Sequence, residues 1–148
     1  MIYMMRYNMH VEKRQQISCH GGSKMRLMSY TVYQVNLEKD KEKQTKVAFE
    51  PLRFVKNICL SILDVYDLNY ACDMKKMGGI QLSNITEFLE QLFNYSNTGQ
   101  LLLGEDNHMR SLSVSDIIEC EVECEGIVKR KYYYTDSFGF KDITEKMY

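Results

Sequence analysis

The chain has no tryptophan and one proline, and its 148 residues include only eight glycines. So little proline and glycine excludes long disordered linkers. No apolar run approaches the roughly 20 residues of a membrane span. The opening string MIYMMRYNMH also lacks the long apolar segment of a secretory signal peptide. These absences predict a soluble, cytoplasmic protein with no membrane contact.

Charge of neither sign is in excess, because the formal net charge is −1 and the isoelectric point about 6.3. Such a chain has no global basic field for non-specific nucleic-acid binding, and too little acidic excess to mimic DNA. The hydrophobic fraction of 45% and charged fraction of 26% are those of an ordinary globular protein. A chain of this length suits one domain.

The cysteines are odd in number, and no secretory leader precedes them. They are Cys19, Cys59, Cys72, Cys120 and Cys124. A reduced, cytosolic state is the simplest interpretation.

Residues 1–28 are rich in methionine, so we interpret them as an N-terminal extension, either poorly ordered or laid over the domain. Residues 29–148 are predicted to form a single domain. The β-branched and aromatic residues from 29 to 35 predict its first strand, and a weaker strand is predicted at 70–74.

Two amphipathic helices are predicted. The first covers residues 51–63, where apolar residues recur at helical spacing after Pro51. The second follows Asn84, a good N-cap residue, with Glu87 at the capping-box position. Its apolar face consists of Ile85, Phe88, Leu89, Leu92 and Phe93.

A β-hairpin is predicted from strands at residues 116–124 and 128–135, because apolar residues alternate along the first of them. A three-residue loop at 125–127 would place Glu123 opposite Lys129 and Glu121 opposite Lys131. A two-residue loop would instead set Cys120 against Lys131 and Val122 against Lys129, so we predict the first register. The predicted fold is α+β, with a small, mainly antiparallel sheet built on this hairpin and the two helices packed on one face.

Five strings of the chain form a recognisable set. They are YTVYQ (30–34), FEP (49–51), LEQLF (89–93), SLSVSDII (111–118) and YYTDSFGF (133–140). Together they resemble the YodL-like family of Firmicutes mobile-element proteins, over about residues 29–143. Arg110 stands where the family carries histidine. The family has no established enzymatic activity, so the resemblance implies a fold and a setting in conjugative elements without a mechanism.

Candidate nucleophiles cluster at Ser111, Ser113, Ser115 and Asp116, but no G-x-S-x-G elbow surrounds them. Side chains of this kind satisfy backbone N–H groups locally, so we interpret the string as a turn that leads into a strand. The glycine pairs complete no phosphate-binding motif, and the string DSFG is interpreted as a tight turn. No catalytic residue and no cofactor are predicted, and the chain is predicted not to be an enzyme.

A structural metal site is an alternative, because Cys120 and Cys124 lie four residues apart and Cys19, His20 and His108 are also available. Residues four apart on a strand are separated by about 13 Å, too far to share one zinc ion. We therefore interpret the two strand cysteines as small buried hydrophobes and predict no metal ligand.

Nucleic-acid contact is a second alternative, because the string KRKYYY (129–134) mixes basic and aromatic side chains as single-strand binders do. Pairing of its lysines with glutamates would neutralise the strip, so a protein partner is favoured. The predicted register places Tyr133 on the same face as Glu119, Glu121, Lys129 and Lys131. An aromatic side chain ringed by charges can anchor an interface, and a tyrosine that only covers the sheet face is an equal alternative. The predicted partner-binding residues are Glu119, Glu121, Lys129, Arg130, Lys131 and Tyr133.

The resulting prediction is a non-enzymatic mobile-element protein that inhibits a host defence system by direct protein contact. Its sharpest form is an anti-CRISPR that blocks a CRISPR nuclease effector. The setting implied by the resemblance motivates this prediction, since fold and composition alone do not suggest it.

Overall fold

The computed structural model describes residues 25–55, 58, 64–98 and 109–147. Within these ranges the chain forms a six-stranded sheet. Its strands are β1 (Met25–Val35), β2 (Tyr66–Asp73), β3 (Ile80–Leu82), β4 (Ile117–Cys124), β5 (Ile127–Thr135) and β6 (Phe140–Asp142). Helices α1 (Lys41–Gln44) and α2 (Ile85–Thr98) lie in the same ranges, and Ile58, Asp64 and Val65 are also helical. There are 3-10 turns at Leu52–Phe54, Lys75–Met77 and Thr144–Met147. The predicted α+β class is confirmed, with sheet predominating.

The strands run in the order β2, β1, β4, β5, β6 across the sheet, and β3 also pairs with β1. All of these pairings are antiparallel. β2 and β3 follow one another along the same side of β1, with an interruption that contains Gly79. There φ is +81°, and an added Cβ would lie 2.9 Å from the carbonyl oxygen of Leu27. Glycine is required at this position because any side chain would collide with the backbone of β1.

The sheet has a hydrophobic core on each face. The helix face, which packs against α2, buries Leu27, Tyr30, Val32, Tyr70, Leu89, Leu92, Ile118, Cys120, Val122 and Tyr133. The opposite face buries Tyr33, Val35, Val47, Ile58, Val65, Tyr66, Ile117, Tyr132, Tyr134, Ile143 and Met147. Successive residues of β4 and β5 therefore enter different cores, as the two-residue period of a strand requires.

Helix α2 begins as predicted. The side chain of Asn84 accepts a hydrogen bond from the Glu87 backbone N–H at 2.8 Å, and the Glu87 carboxylate accepts one from Ser83 Oγ at 2.9 Å. The predicted apolar stripe faces the sheet, with Leu89 and Leu92 fully buried. Burial of this stripe stabilises the helix beyond its intrinsic propensity. Within the described residues, no helix is long and apolar enough to span a bilayer.

The predicted helix at 51–63 falls largely outside the described residues. The described start of this segment is not α-helical, so that part of the prediction is wrong: Leu52–Phe54 form a 3-10 turn with Pro51 at the N-cap position, and Val55 is extended. Ile58 is helical and buried. Ile58 belongs to the core of the opposite face rather than to that of the helix face. The prediction that both helices pack on one face is therefore not confirmed.

The predicted hairpin register is wrong, although the hairpin itself is present as β4 and β5. The loop has two residues, and pairing runs from Cys124 opposite Ile127 to Ile117 opposite Tyr134. Both loop residues have positive φ, 54° at Glu125 and 79° at Gly126. Two such residues form the type I′ turn, whose twist matches that of the strands it joins.

The predicted register required the hairpin to have one apolar face and one charged face. Both faces are covered, so Val122 and Lys129 lie opposite each other and both are buried. The expected glutamate–lysine pairs do not form. Arg130 lies opposite Glu121 instead, and its guanidinium bonds both Glu119 and Glu121. The geometry of the turn and the burial of both sheet faces thus decided the register. The cross-strand charge pairs, which would contribute roughly 0.2–1 kcal/mol each, did not.

Candidate binding site at the turn end of the sheet

Three segments of the chain meet at one end of the sheet, which we call the turn end: residues 47–55, 110–116 and 135–140. The hydroxyl of Ser115 accepts a hydrogen bond from the Phe49 backbone N–H at 3.0 Å, and the Ser115 N–H donates to the Thr135 carbonyl at 2.9 Å. Asp136 Oδ1 accepts from the Leu52 N–H at 3.2 Å. These bonds join segments that are distant in sequence.

A buried polar network adjoins the turn end. Asp116 Oδ2 accepts hydrogen bonds from Gln34 Nε2 at 2.8 Å and from the Ser113 N–H at 2.9 Å. Gln34 Oε1 in turn accepts from Asn69 Nδ2 and from the Arg110 N–H, both at 2.9 Å. Burial raises the pKa of the Asp116 carboxyl to about 6, against the lowering effect of its hydrogen bonds. The predicted turn leading into a strand is confirmed, since β4 begins at the next residue.

The DSFG string forms a tight turn, as predicted. The Asp136 N–H donates to the Gly139 carbonyl at 2.9 Å, and Asp136 Oδ1 accepts from the Ser137 N–H at 2.8 Å. Gly139 has φ of +74°, a conformation that favours glycine. Phe138 is the third residue of this turn, and 88% of its surface is exposed.

Exposed aromatic side chains gather at the turn end. Phe49 is 53% and Phe54 is 59% exposed, and the Arg53 guanidinium lies 4.7 Å from the Phe54 ring centroid. The Leu52–Asp136 hydrogen bond ties the segment of Phe54 to the turn of Phe138. Large exposed aromatic side chains held by a fixed backbone are typical of protein-binding surfaces.

A cavity of about 440 Å³ opens beside this turn, between the turn and α2. It is lined by Glu90, Phe93, Asn94, Thr135, Asp136, Ser137, Gly139 and Phe140. This set of residues was not predicted from the sequence. A signal existed, because Glu90 and Phe93 lie in the LEQLF string, and Asp136 and Phe140 in the YYTDSFGF string. Their proximity depends on how α2 crosses the sheet, which local patterns do not reveal.

The structure separates the predicted partner-binding residues. Glu119, Glu121 and Arg130 project on the side of the opposite face, where Arg130 Nη1 and Nη2 each lie 3.0 Å from one of the two glutamates. Tyr33 donates a hydrogen bond to Glu119 Oε1 at 2.7 Å, and Lys75 Nζ lies 3.2 Å from Glu121 Oε1. This is a compact, largely buried ion-pair cluster.

The other three predicted residues occupy the helix-face positions of β5. Lys129 and Tyr133 are buried, and Lys131 Nζ lies 3.6 Å from Asp142 Oδ2. The expectation that Tyr133 shares a face with the two glutamates is therefore wrong, because the register is shifted by one residue. A role for these six side chains in partner binding stays a prediction.

The strand cysteines are buried, as predicted. Burial raises the pKa of the Cys120 thiol far above its usual range. Cys72 and Cys120 are free thiols, but Cys124 is disulfide-bonded, so the interpretation that every cysteine is reduced is wrong for Cys124. In the described part of the chain, no three His, Cys, Asp or Glu side chains are placed to hold a metal ion. Cys19, His20 and His108 lie outside that part.

The architecture and the turn end together define a small α+β domain with exposed aromatic residues at one end of its sheet. The family model of the YodL-like domain matches residues 29–145, and the chain belongs to that family. The match spans most of the chain and agrees with the extent of the resemblance seen in the sequence. No curated protein and no solved structure matches the chain.

Proposed function

We propose that the chain is a non-enzymatic protein-binding domain that contacts its partner through the turn end. The observation that carries the proposal is Phe138, which is 88% exposed at a hydrogen-bonded tight turn. An exposed phenylalanine has apolar area to bury in a partner, and its fixed backbone reduces the entropy lost on binding.

Preorganisation of the turn end supports the proposal. Asp136 Oδ1 bonds two backbone N–H groups, those of Leu52 and Ser137, and so holds the segments that present Phe54 and Phe138. Ser115 joins the same region to Phe49. A surface arranged before the partner arrives binds more tightly than one that must be ordered on contact.

We further propose that the partner is a host defence protein, and that inhibition of a CRISPR nuclease effector is the sharpest form of this function. The mobile-element setting implied by the family resemblance motivates this step. A small domain that occludes an effector by contact needs a preorganised surface and no chemistry of its own, which agrees with the geometry of the turn end.

The predicted nucleic-acid strip receives no support from the geometry. Lys129 is buried, Arg130 bonds two glutamates and Lys131 lies near Asp142. Phosphate binding requires basic side chains that can reach solvent, so this strip offers little of the charge it needs. Nucleic-acid contact is therefore one of the outcomes that the experiment must separate.

The test is affinity capture of the tagged chain from a nuclease-treated lysate of its native host, with mass spectrometry. Phe138→Ala is the test variant, and Met77→Ala is the matched control, because Met77 is also strongly exposed, at 68%, but lies in the 3-10 turn between β2 and β3. We expect a stoichiometric protein that Phe138→Ala loses and Met77→Ala retains.

Capture that disappears with nuclease treatment, or that both variants retain equally, would contradict the proposal. A separate assay tests inhibition of a host defence system. Expression of the chain should protect a targeted plasmid or phage from CRISPR interference. Protection that Phe138→Ala abolishes supports the inhibitor form. Absence of protection against every defence system of the host argues against it.

A further inference from the structure

The cavity beside the DSFG turn has two unlike walls. Glu90, Phe93 and Asn94 of α2 form one wall, because residues three and four apart share one side of a helix. Thr135, Asp136 and Phe140 form the other wall, at the end of β5 and the start of β6. Its volume of about 440 Å³ lies within the range of ligand sites, roughly 300–1,000 Å³.

The cavity is acidic. Its lining includes the carboxyl groups of Glu90 and Asp136, and no lysine, arginine or histidine. Neither carboxyl belongs to an ion pair among the described residues. Asp136 is held in place by the backbone bonds to its Oδ1. Two negative charges without a basic neighbour favour a cationic ligand.

Aromatic rings line the same space. Phe93 of α2 and Phe140 of β6 meet edge to face, with ring centroids 6.5 Å apart and planes at 79°. The face of an aromatic ring attracts cations, and guanidinium groups more often than ammonium groups occupy such positions. The rings also provide apolar surface for the alkyl chain that carries a cationic group.

One polar atom at the cavity is left without a partner. Thr135 is only 3% exposed, and its Oγ1 is buried with no hydrogen-bond partner, whereas its backbone bonds both Ser115 and Asp116. Thr135 lies on the side of the sheet that α2 covers, since it follows Tyr133 by two residues on β5. A buried hydroxyl in this state is unfavourable. Because Oγ1 is closed to solvent as it stands, a donor in the cavity would satisfy it once the Thr135 side chain turns towards the cavity.

We propose that this cavity binds a guanidinium group, supplied by an arginine side chain of the protein partner. A guanidinium is planar and carries five N–H donors, so one group can face the two carboxylates and lie against the phenylalanine rings. It can also donate to Thr135 Oγ1 once that side chain turns towards the cavity. An ammonium group has no flat face to match the rings. The inference rests on the proposed function for the source of the arginine, but the chemistry of the cavity is testable without a partner.

The test is a chemical-shift titration of the purified full chain with a blocked glycine–arginine–glycine peptide. The matched probe carries citrulline, a neutral isostere of arginine, and a third probe carries lysine. We expect saturable shifts at the amides of Glu90, Thr135 and Phe140 with the arginine peptide, weaker binding of the lysine peptide and none of the citrulline peptide. Agmatine, a free guanidinium compound, should bind more weakly than the peptide if the ligand is peptide-borne.

Two variants connect the binding to the cavity. Thr135→Val removes the hydroxyl at constant shape, and Glu90→Gln removes one charge. Each variant should bind the arginine peptide with about tenfold lower affinity. Glu42→Gln, an exposed change in α1, should have no effect. Equal binding of arginine and citrulline peptides, or no saturable shift with arginine, would overturn the inference.

The two proposals fail in different ways. If the arginine peptide binds the cavity but Phe138→Ala leaves partner capture intact, the proposed turn-end contact fails and the cavity assignment stands. If Phe138→Ala abolishes capture but the chain does not bind the peptide, the cavity assignment fails and the proposed function stands.

Discussion

Replacement of the buried Asp116 by asparagine should change how the stability of the domain depends on pH. Asp116 is 1% exposed, and both hydrogen bonds that it accepts go to a single oxygen, Oδ2. The amide oxygen of asparagine can take the place of Oδ2 and keep the bonds to Gln34 and Ser113. Asp116→Asn therefore removes the buried charge and retains the network.

The magnitude follows from the pKa of Asp116, which burial raises from 3.8 to about 6. A carboxyl whose pKa is higher in the folded state binds its proton more tightly there. Its stabilising contribution is complete below the unfolded pKa and is lost as the pH rises through about 6. The difference between the two pKa values corresponds to about 3 kcal/mol in the free energy of unfolding. Asparagine, which does not titrate, avoids this loss.

The assay is urea unfolding of the wild type and of Asp116→Asn from about pH 4 to about pH 7.5. The free energy of unfolding of the variant, relative to wild type, should rise by roughly 2.4 kcal/mol over that range, because the unfolded carboxyl is already more than half ionised at pH 4. Glu42→Gln, which alters an exposed carboxyl of α1, should follow the wild type. A difference that is independent of pH, or one that moves in favour of the wild type as the pH rises, would show that the charge of Asp116 is not what destabilises the domain at high pH.

Four further outcomes are expected. Gly79→Ala should lower the free energy of unfolding by roughly 1–3 kcal/mol, because its Cβ meets the Leu27 carbonyl, whereas Gly126→Ala has open space and should lose less in the same urea titration. Arg130→Met leaves Glu119 and Glu121 without their shared guanidinium and should cost roughly 3 kcal/mol; addition of Glu119→Gln should recover part of that loss. The Lys39 bond lowers the pKa of Asp67, so Asp67→Asn should destabilise the domain at neutral pH but not at a pH where Asp67 is protonated in both states. Phe138→Ala should change the free energy of unfolding by less than about 0.5 kcal/mol, which would separate its effect on capture from misfolding.

The elements that local patterns specify were predictable from the sequence. Asn84 caps α2 as expected, although the Glu87 carboxylate accepts from Ser83 Oγ and not from the Asn84 backbone N–H of a full capping box. The apolar stripe of α2 faces the sheet. The strand predicted at 29–35 is part of β1, although β1 begins earlier, at Met25. These features depend on neighbours within a few positions, so propensity and periodicity suffice to predict them.

Features that depend on distant parts of the chain were not predictable. The two-residue hairpin loop requires a positive φ at Glu125. Residues other than glycine rarely adopt a positive φ, so a glutamate at this position does not predict the turn. The sheet is covered on both faces because α2 packs on one face and Ile58 on the other. The predicted register was wrong because it required one face to be charged and open to solvent. The bond between Gln34 and Asp116 joins residues 82 positions apart. The cavity beside the DSFG turn likewise exists only once α2 lies across β5.

The most direct test of the turn end as a protein-binding surface is site-specific photo-crosslinking in cells of the native host. A photoreactive phenylalanine analogue is placed at position 138 in one chain and at position 77 in a control chain. We predict one discrete protein adduct from position 138 that is absent from position 77 and survives nuclease treatment. No adduct at position 138, or the same adducts from both positions, would contradict the account.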